Sequence, residues 1–532
     1  MARVSPHAVI GGLRAGLSGL AALGCAAAIS LGAPAAVPAA TRCPEPGADW
    51  TDAAPAQAGM DAAKLAAAID YASANQAEAV RVYRYGCRVA SDRLGAVNAH
   101  TTFQSWSMAK SITALIFGRA MRQGLIGPDD PLGSLIPVAD AAHGAITMRD
   151  LLTQTSGLQW NGLRDYNIFM PDRIQEALTV PVEKKPGTYW EYSQSGPALA
   201  AEATQNAVGE DFQAYAQREL LGPLGIEPGT WRWQRDSAGH TQGFFGVHMV
   251  PDDFARLGEL MRRGGVWKGR RLLAKRFVRE AVTPVAQNGC YGYFIWVNAS
   301  KPCVGPRVVD RPVRDERNFP TLPTDMYQFA GLFGQLVTVF PSQGLIVARF
   351  GQDSGSLAGG APWEEEFYRQ VLGSITDQPI RMPKPKPDAN EVSREDVDRG
   401  FFEAAQHPDQ FGGGQSPPPL PPAGPARARA TLIELRNRRP GPHHTVKVRL
   451  HCPRAWPSGL KPRCTGRSRL TGAGARHYRV RAGKAKVVRF HLRTGFLRRL
   501  DRKHKLEVTV KARDRDRARG AVAKRTLTLH RR

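Results

Sequence analysis

Ser105-Trp106-Ser107-Met108-Ala109-Lys110-Ser111 sets a serine three residues ahead of a lysine at the start of a helical pattern. Residues three apart on a helix have Cβ atoms roughly 5–6 Å apart, so a Lys110 amine can reach a Ser107 hydroxyl. A serine hydroxyl is a weak nucleophile until a neighbour takes its proton, and a lysine serves only if burial keeps it neutral. The first N–H groups of a helix lack intrahelical partners, which makes the Ser107 N–H available to a developing oxyanion. Met108, Ile112, Leu115 and Ile116 recur at helical spacing, so the helix that positions these groups is expected to pack one apolar face inward.

Two fixed letters recur by chance about once in a chain of this size. Ser458-Gly459-Leu460-Lys461 has the same letters, but Pro457, Gly459 and Pro462 oppose a helix there. What separates Ser107 from this decoy is the text that follows it. Pro186-Gly187-Thr188-Tyr189-Trp190-Glu191-Tyr192-Ser193-Gln194-Ser195-Gly196 comes about 85 residues later. Leu151-Leu152-Thr153-Gln154-Thr155-Ser156-Gly157-Leu158, Asp252-Asp253-Phe254-Ala255-Arg256-Leu257-Gly258 and Tyr291-Gly292-Tyr293-Phe294-Ile295-Trp296 complete the set.

With these pieces the chain resembles the serine β-lactamase and penicillin-binding superfamily over roughly residues 50–375. The branch it looks most like holds class C β-lactamases, D,D-peptidases, certain esterases and 6-aminohexanoate-dimer hydrolases. The resemblance implies an α/β (α+β) fold, an antiparallel sheet flanked by helices with a second, helical lobe. It implies that Tyr192 relays a proton between Ser107 and Lys110, the lysine acting as the cation that lets a phenol serve as a base. Gln194 stands where relatives place asparagine, and its amide is expected to hold Lys110. The family's third element, a strand with Lys-Thr-Gly or His-x-Gly, is matched best by Phe329-Ala330-Gly331-Leu332-Phe333-Gly334-Gln335, without a lysine or histidine. That loss removes the cation with which β-lactamases and peptidases grip a carboxylate. Gly331-x-x-Gly334-Gln335 resembles the amide-hydrolase branch, which implies Leu332 N–H as the second oxyanion donor.

The chain lacks a Gly-x-Ser-x-Gly elbow, His-Glu-x-x-His, a Walker loop and Cys-x-x-Cys. His443-His444 lies in a basic, Pro/Gly-flanked turn, and neither a metal nor another cofactor is expected. Arg3 and Arg14, the apolar run Leu17–Leu31 and Val37-Pro38-Ala39-Ala40 read as an export signal over residues 1–40. Ala22-Leu23-Gly24-Cys25 is a weaker match to a lipoprotein box that would tether the protein at Cys25. In an exported chain the remaining six cysteines suggest disulfides. Closeness in sequence suggests Cys290 with Cys303 and Cys452 with Cys464, leaving Cys43 with Cys87, one of several pairings open to six cysteines.

The 532 residues carry a net charge of +26, unevenly spread. Residues 427–532 hold 33 Lys/Arg against 5 Asp/Glu, while the rest of the chain holds 40 against 42. A serine-hydrolase domain over 44–378 is therefore expected to be followed by a Pro/Gly-rich linker, 379–426, and a basic domain, 427–532. The last has short alternating strands at Thr431–Leu435, Val446–Leu450, Val487–Leu492, Leu506–Val510 and Arg525–Leu529, the pattern of an all-β sandwich. It also resembles the β-sandwich modules appended to secreted actinobacterial proteins.

So basic a module is expected to attract an anionic cell-wall polymer, acidic polysaccharide or lipid head groups, and nucleic acid only non-specifically. The expected activity is hydrolysis of a small amide or ester through a Ser107 acyl-enzyme. The alternatives are a β-lactamase or D,D-carboxypeptidase and a non-catalytic wall-binding or sensor protein on the same fold.

Overall fold

A computed structural model describes residues 40–384 apart from 93–94, 96–98, 138, 308–310 and 353–361. Beyond these it describes 432–435, 444–451, 463–470, 473–481, 485–503, 505–514 and 522–530. The expected export signal, Cys25, most of the expected linker, Cys452 with its pairing, His443 and the decoy Ser458 lie outside the described residues.

In chain order the principal elements are α1 (Ala62–Ala74), β1 (Ala77–Arg84), β2 (Cys87–Ser91), α2 (Met108–Arg122), α3 (Ser195–Val208), α4 (Pro251–Arg262), β3 (Tyr327–Gly331), β4 (Gln335–Phe340), β5 (Leu345–Gly351) and α5 (Pro362–Gly373). Asp61 starts α1 as an N-cap, its carboxylate accepting the N–H groups of Ala63 at 2.9 Å and Lys64 at 3.0 Å. A seven-stranded sheet runs Thr51–Asp52, β2, β1, β5, β4, β3, Trp296–Val297. All its pairings are antiparallel except that of Thr51–Asp52 with β2. The early and late strands thus meet in one sheet, with β1 against β5.

Both faces of the sheet are covered. Val80 and Val82 of β1 join Leu65 and Ile69 of α1 and Val371 of α5 in one core. Ala79 and Tyr83 join Ile112 of α2 and Phe254 of α4 in the other. That is why Gln335-Leu336-Val337-Thr338-Val339-Phe340 is buried at every position instead of alternating. The terminal helix α5 sits with α1 on the face opposite α2.

Helix α2 departs from the amphipathic expectation, because every side chain from Met108 to Gly118 is buried. It lies between the sheet and the helical lobe, against α3, and a helix enclosed all round has no polar face to present. Short helices such as Met148–Leu152 and Arg173–Thr179 complete that lobe together with α3. Cys43 is bonded to Cys87, and Cys290 to Cys303. Among the described residues no helix is long and apolar enough to cross a membrane.

The C-terminal segments form two antiparallel sheets. One runs β6 (Leu432–Leu435), β7 (Thr445–His451), β10 (Ala485–His491). The other runs β9 (Gly474–Arg481), β8 (Arg463–Leu470), β11 (Lys505–Asp514), β12 (Val522–His530), and α6 (Thr494–Lys503) lies in the chain between β10 and β11. Val446, Val448, Leu450 and Phe490 are buried at alternate positions. Strands β8 and β9 and the helix were not foreseen, since Arg-Cys-Thr-Gly-Arg-Ser-Arg-Leu alternates charge with small residues and offers little apolar signal.

Candidate active site

Ser107 is delivered by a tight turn out of the short strand Phe103–Gln104. Ser105 N–H donates to Val247 carbonyl at 2.7 Å, and Val247 N–H donates back to Ser105 Oγ at 3.1 Å, anchoring the turn to a neighbouring strand. Trp106 then adopts φ +45°, a left-handed conformation that a bulky residue holds only when its surroundings enforce it. Its ring meets Phe245 at 5.6 Å and the edge of Phe333 at 5.2 Å. Ser107 occupies the N-cap position of α2 but caps nothing with its side chain. A serine there ordinarily gives its oxygen to the N2 or N3 amide. Here the hydroxyl is directed elsewhere, which argues against a merely capped core helix.

Lys110 Nζ lies 3.0 Å from Ser107 Oγ. The amine is buried, 1% exposed, with the Phe244 carbonyl at 3.4 Å and the Tyr192 ring centroid at 4.5 Å. Burial drives its pKa well below the ordinary lysine value; the Asp165 carboxylate opposes that shift and the Arg173 guanidinium adds to it. Tyr192, also buried, places its phenol beside the Ser107 side chain. Its ring stacks on Trp296 at 6.1 Å and meets Tyr291 edge-on at 6.3 Å. Burial pushes the phenol well above its usual range, and the neighbouring Ser107 side chain pulls against it. The expectation of a phenol made acidic by a lysine cation is therefore corrected, since desolvation favours the uncharged form of both groups.

The turn after β3 abuts this serine. A Cβ on Gly331 would stand 2.1 Å from the Ser105 carbonyl oxygen, so only glycine lets the strand approach the chain entering Ser107. Leu332, Phe333 and Gly334 make the turn, Phe333 at φ +62° and Gly334 at φ +68°, and β3 resumes pairing as β4 at Gly331 opposite Gln335. Two side chains hold it from behind. Arg349 of β5 donates to the carbonyls of Phe333 at 2.8 Å and Gly334 at 3.0 Å, and Gln335 donates to that of Phe333 at 3.1 Å. Arg349 is fully buried and so presents no cation to a ligand in the cleft.

Gln194 is not brought to Lys110. Its backbone N–H donates to Asp165 at 3.0 Å, while its buried side-chain oxygen finds no hydrogen-bond partner. Asp165 is a residue the sequence reading missed. Fully buried in the helical lobe, it also accepts the Asn161 N–H at 3.0 Å, and it is the acidic group acting electrostatically on Lys110. Gln154, at φ +60°, is a second omission. Its amide donates to the Ser193 carbonyl at 3.0 Å, fixing the segment that bears Tyr192. Asp165 lies in residues 161–167, at no catalytic spacing from Ser107, and Gln154 lies within residues 151–158, where its residue type alone signals no chemistry. Among the described residues no group of three or more His, Cys, Asp or Glu side chains is gathered as a metal site would require.

Comparison with known proteins follows the same outline. A stretch of 156 residues is 28% identical to monacolin J acid methylbutanoyltransferase of Aspergillus terreus, covering 24% of this chain and 38% of that one. Another, of 129 residues, is 25% identical to the Bacillus subtilis penicillin-binding protein PbpX, so named provisionally, covering 24% and 32%. This chain thus spans well under two thirds of the length of these relatives. A solved structure from Bacillus anthracis, provisionally named a 6-aminohexanoate-dimer hydrolase, superposes with TM-score 0.47 at 14% identity over 58% of this chain and 82% of that one. The family model described as Beta-lactamase matches residues 65–365, more than half of the chain and the whole of the Ser107–Lys110–Tyr192 constellation, so the protein belongs to the Beta-lactamase family of serine hydrolases and acyltransferases.

Proposed function

We propose that this protein is a secreted serine hydrolase that cleaves a small amide or ester through an acyl-enzyme on Ser107. The observation that carries the reading is one hydroxyl held at 3.0 Å from a buried amine, with a buried phenol beside it. Ser107 attacks the substrate carbonyl while neutral Lys110 takes its proton. Tyr192, uncharged, passes a proton between the lysine and the leaving group. The backbone N–H groups of Ser107 and Leu332 hold the oxyanion. Water then enters by the same proton path in reverse and releases the acid. Two disulfides support an oxidising destination.

An amide or ester of the 6-aminohexanoate-dimer or esterase type is favoured over a β-lactam or a peptidoglycan stem. The turn Gly331–Gln335 has no cation, and the nearby Arg349 is spent on its carbonyls. Transfer of the acyl group to an alcohol is the second reading, favoured by the acyltransferase names of the curated relatives. A panel of p-nitrophenyl acetate, a short anilide and nitrocefin tests the first reading. A burst of p-nitrophenol equal to the enzyme, with nitrocefin turned over at least about 100-fold less efficiently, is the expected outcome. Efficient nitrocefin hydrolysis would contradict it. Added alcohol that diverts most of the acyl group from water would favour transfer.

A further inference from the structure

The segment Tyr189-Trp190-Glu191-Tyr192 divides its side chains between two neighbours. Trp190 and Tyr192 are buried against Tyr291 and Trp296, with ring centroids 5.3 to 6.3 Å apart. Tyr189 and Glu191 meet Arg307 instead. Arg307 Nη2 donates to Glu191 Oε2 at 2.8 Å and Nε to Oε1 at 3.4 Å, a paired grip that fixes direction as well as distance. The same Nη2 lies 3.4 Å from the Tyr189 hydroxyl. Arg311 donates to the Trp190 carbonyl at 2.7 Å, with its guanidinium 4.2 Å over the Tyr189 ring. The Glu191 side chain is only 10% exposed, and burial raises its pKa while Arg307 acts in the opposite direction. The ion pair is thus what makes a carboxylate tolerable beside the buried phenol.

Arg307 is itself anchored to the other support of Tyr192. It lies between Cys303–Val304 and Val313–Arg314, which pair antiparallel. Val304 exchanges two hydrogen bonds with the Asn288 side chain, at 2.8 and 3.1 Å, and Cys303 is bonded to Cys290, next in sequence to Tyr291. The Arg307 carbonyl accepts the Tyr166 hydroxyl at 2.5 Å, and the Arg307 guanidinium lies 5.2 Å over the Trp160 ring. We propose that Arg307 is a positioning residue for acyl transfer: by gripping Glu191 it fixes the adjacent Tyr192, whose phenol hands a proton to the leaving group. That proton comes from Ser107 by way of Lys110 and ends on the departing oxygen or nitrogen. The inference rests on the acyl-enzyme reading above and deepens it, because Arg307 acts through the residue beside Tyr192 and not on the reacting atoms. Its effect is selective. p-Nitrophenolate departs without a proton at neutral pH, whereas an alkoxide departs only when protonated, so a displaced Tyr192 penalises an alkyl ester more.

The test measures kcat/KM of the full chain for p-nitrophenyl acetate and ethyl acetate, which form the same acetyl-enzyme and differ only in what leaves. Arg307→Met is expected to lower the value for ethyl acetate at least ~10-fold more than that for p-nitrophenyl acetate. Arg307→Lys keeps a charge on Glu191 but not the fork, and should fall between wild type and Arg307→Met. Glu191→Gln keeps the shape of the partner and loses its charge; it should shift the ratio in the same direction, and it carries the test if Arg307→Met does not fold. Lys301→Met removes an exposed ion pair with Asp315, 2.9 Å long, from the same region of the chain, and should leave the ratio unchanged. An equal loss on both esters in Arg307→Met and Glu191→Gln, as general loosening would give, or no loss on either, would overturn the proposal. Mass spectrometry of the wild type separates the two levels of the account. An acetyl adduct on Ser107 with an unchanged ratio in the variants removes this proposal alone, whereas no adduct removes the acyl-enzyme reading with it.

Discussion

Desolvation decides the chemistry of Lys110 and Tyr192, because it moves both toward their uncharged forms around one serine hydroxyl. For the lysine the consequence extends to stability. Its folded pKa lies below its unfolded one, so between the two values the unfolded chain binds more protons and stability rises with pH. Lys110→Met should therefore be inactive yet more stable than the wild type at neutral pH. The difference should shrink as pH approaches the unfolded lysine value, which chemical denaturation at several pH values would measure. Acylation should lose rate as pH falls through the lowered lysine pKa. Tyr192→Phe keeps the ring against Trp296 but loses the hydroxyl, and should lower kcat by about 10²–10⁴ with little change in KM. Ser107, Lys110 and Tyr192 were legible because their spacing and flanking motifs carry chemistry. Asp165 was not, since its effect on Lys110 arises only when the helical lobe folds over α2.

At the scale of elements, the turn between β3 and β4 and the helix α2 must be held against each other. Gly331 does this by having no side chain, and Gly331→Ala should displace the turn from Ser105 and depress acylation more than binding. Arg349 does it from the opposite side. Arg349→Lys cannot bond two carbonyls with a planar fork, and should slow acylation by up to about 100-fold, read by stopped flow beside a melting curve that separates misplacement from unfolding. The glycines of this turn were readable in the sequence. The arginine was not, because a charged residue in a central strand reads as an interruption until its partners are known. Nor was the all-round burial of α2, which depends on the lobe packed on its far side.

Over the whole molecule, charge is segregated by position along the chain: residues 427–532 carry the excess and the rest is nearly balanced. Ser107, Lys110, Tyr192 and the turn at Gly331 all lie outside the basic segment, so a chain ending before residue 427 should hydrolyse p-nitrophenyl acetate with kcat/KM within about twofold of the full protein. A large loss of kcat/KM would place part of the site in the removed segment. Composition made the division visible, whereas strands β8 and β9 escaped notice because their alternation is of arginine with small residues.

The central claim is that Ser107 is the acylated nucleophile, and covalent labelling by a fluorophosphonate, mapped by peptide mass spectrometry, tests it most directly. One adduct on Ser107 in the native protein, absent in Ser107→Ala and slowed strongly in Lys110→Met, is the predicted result. An unlabelled native protein, or an adduct that persists in Ser107→Ala, would contradict the account.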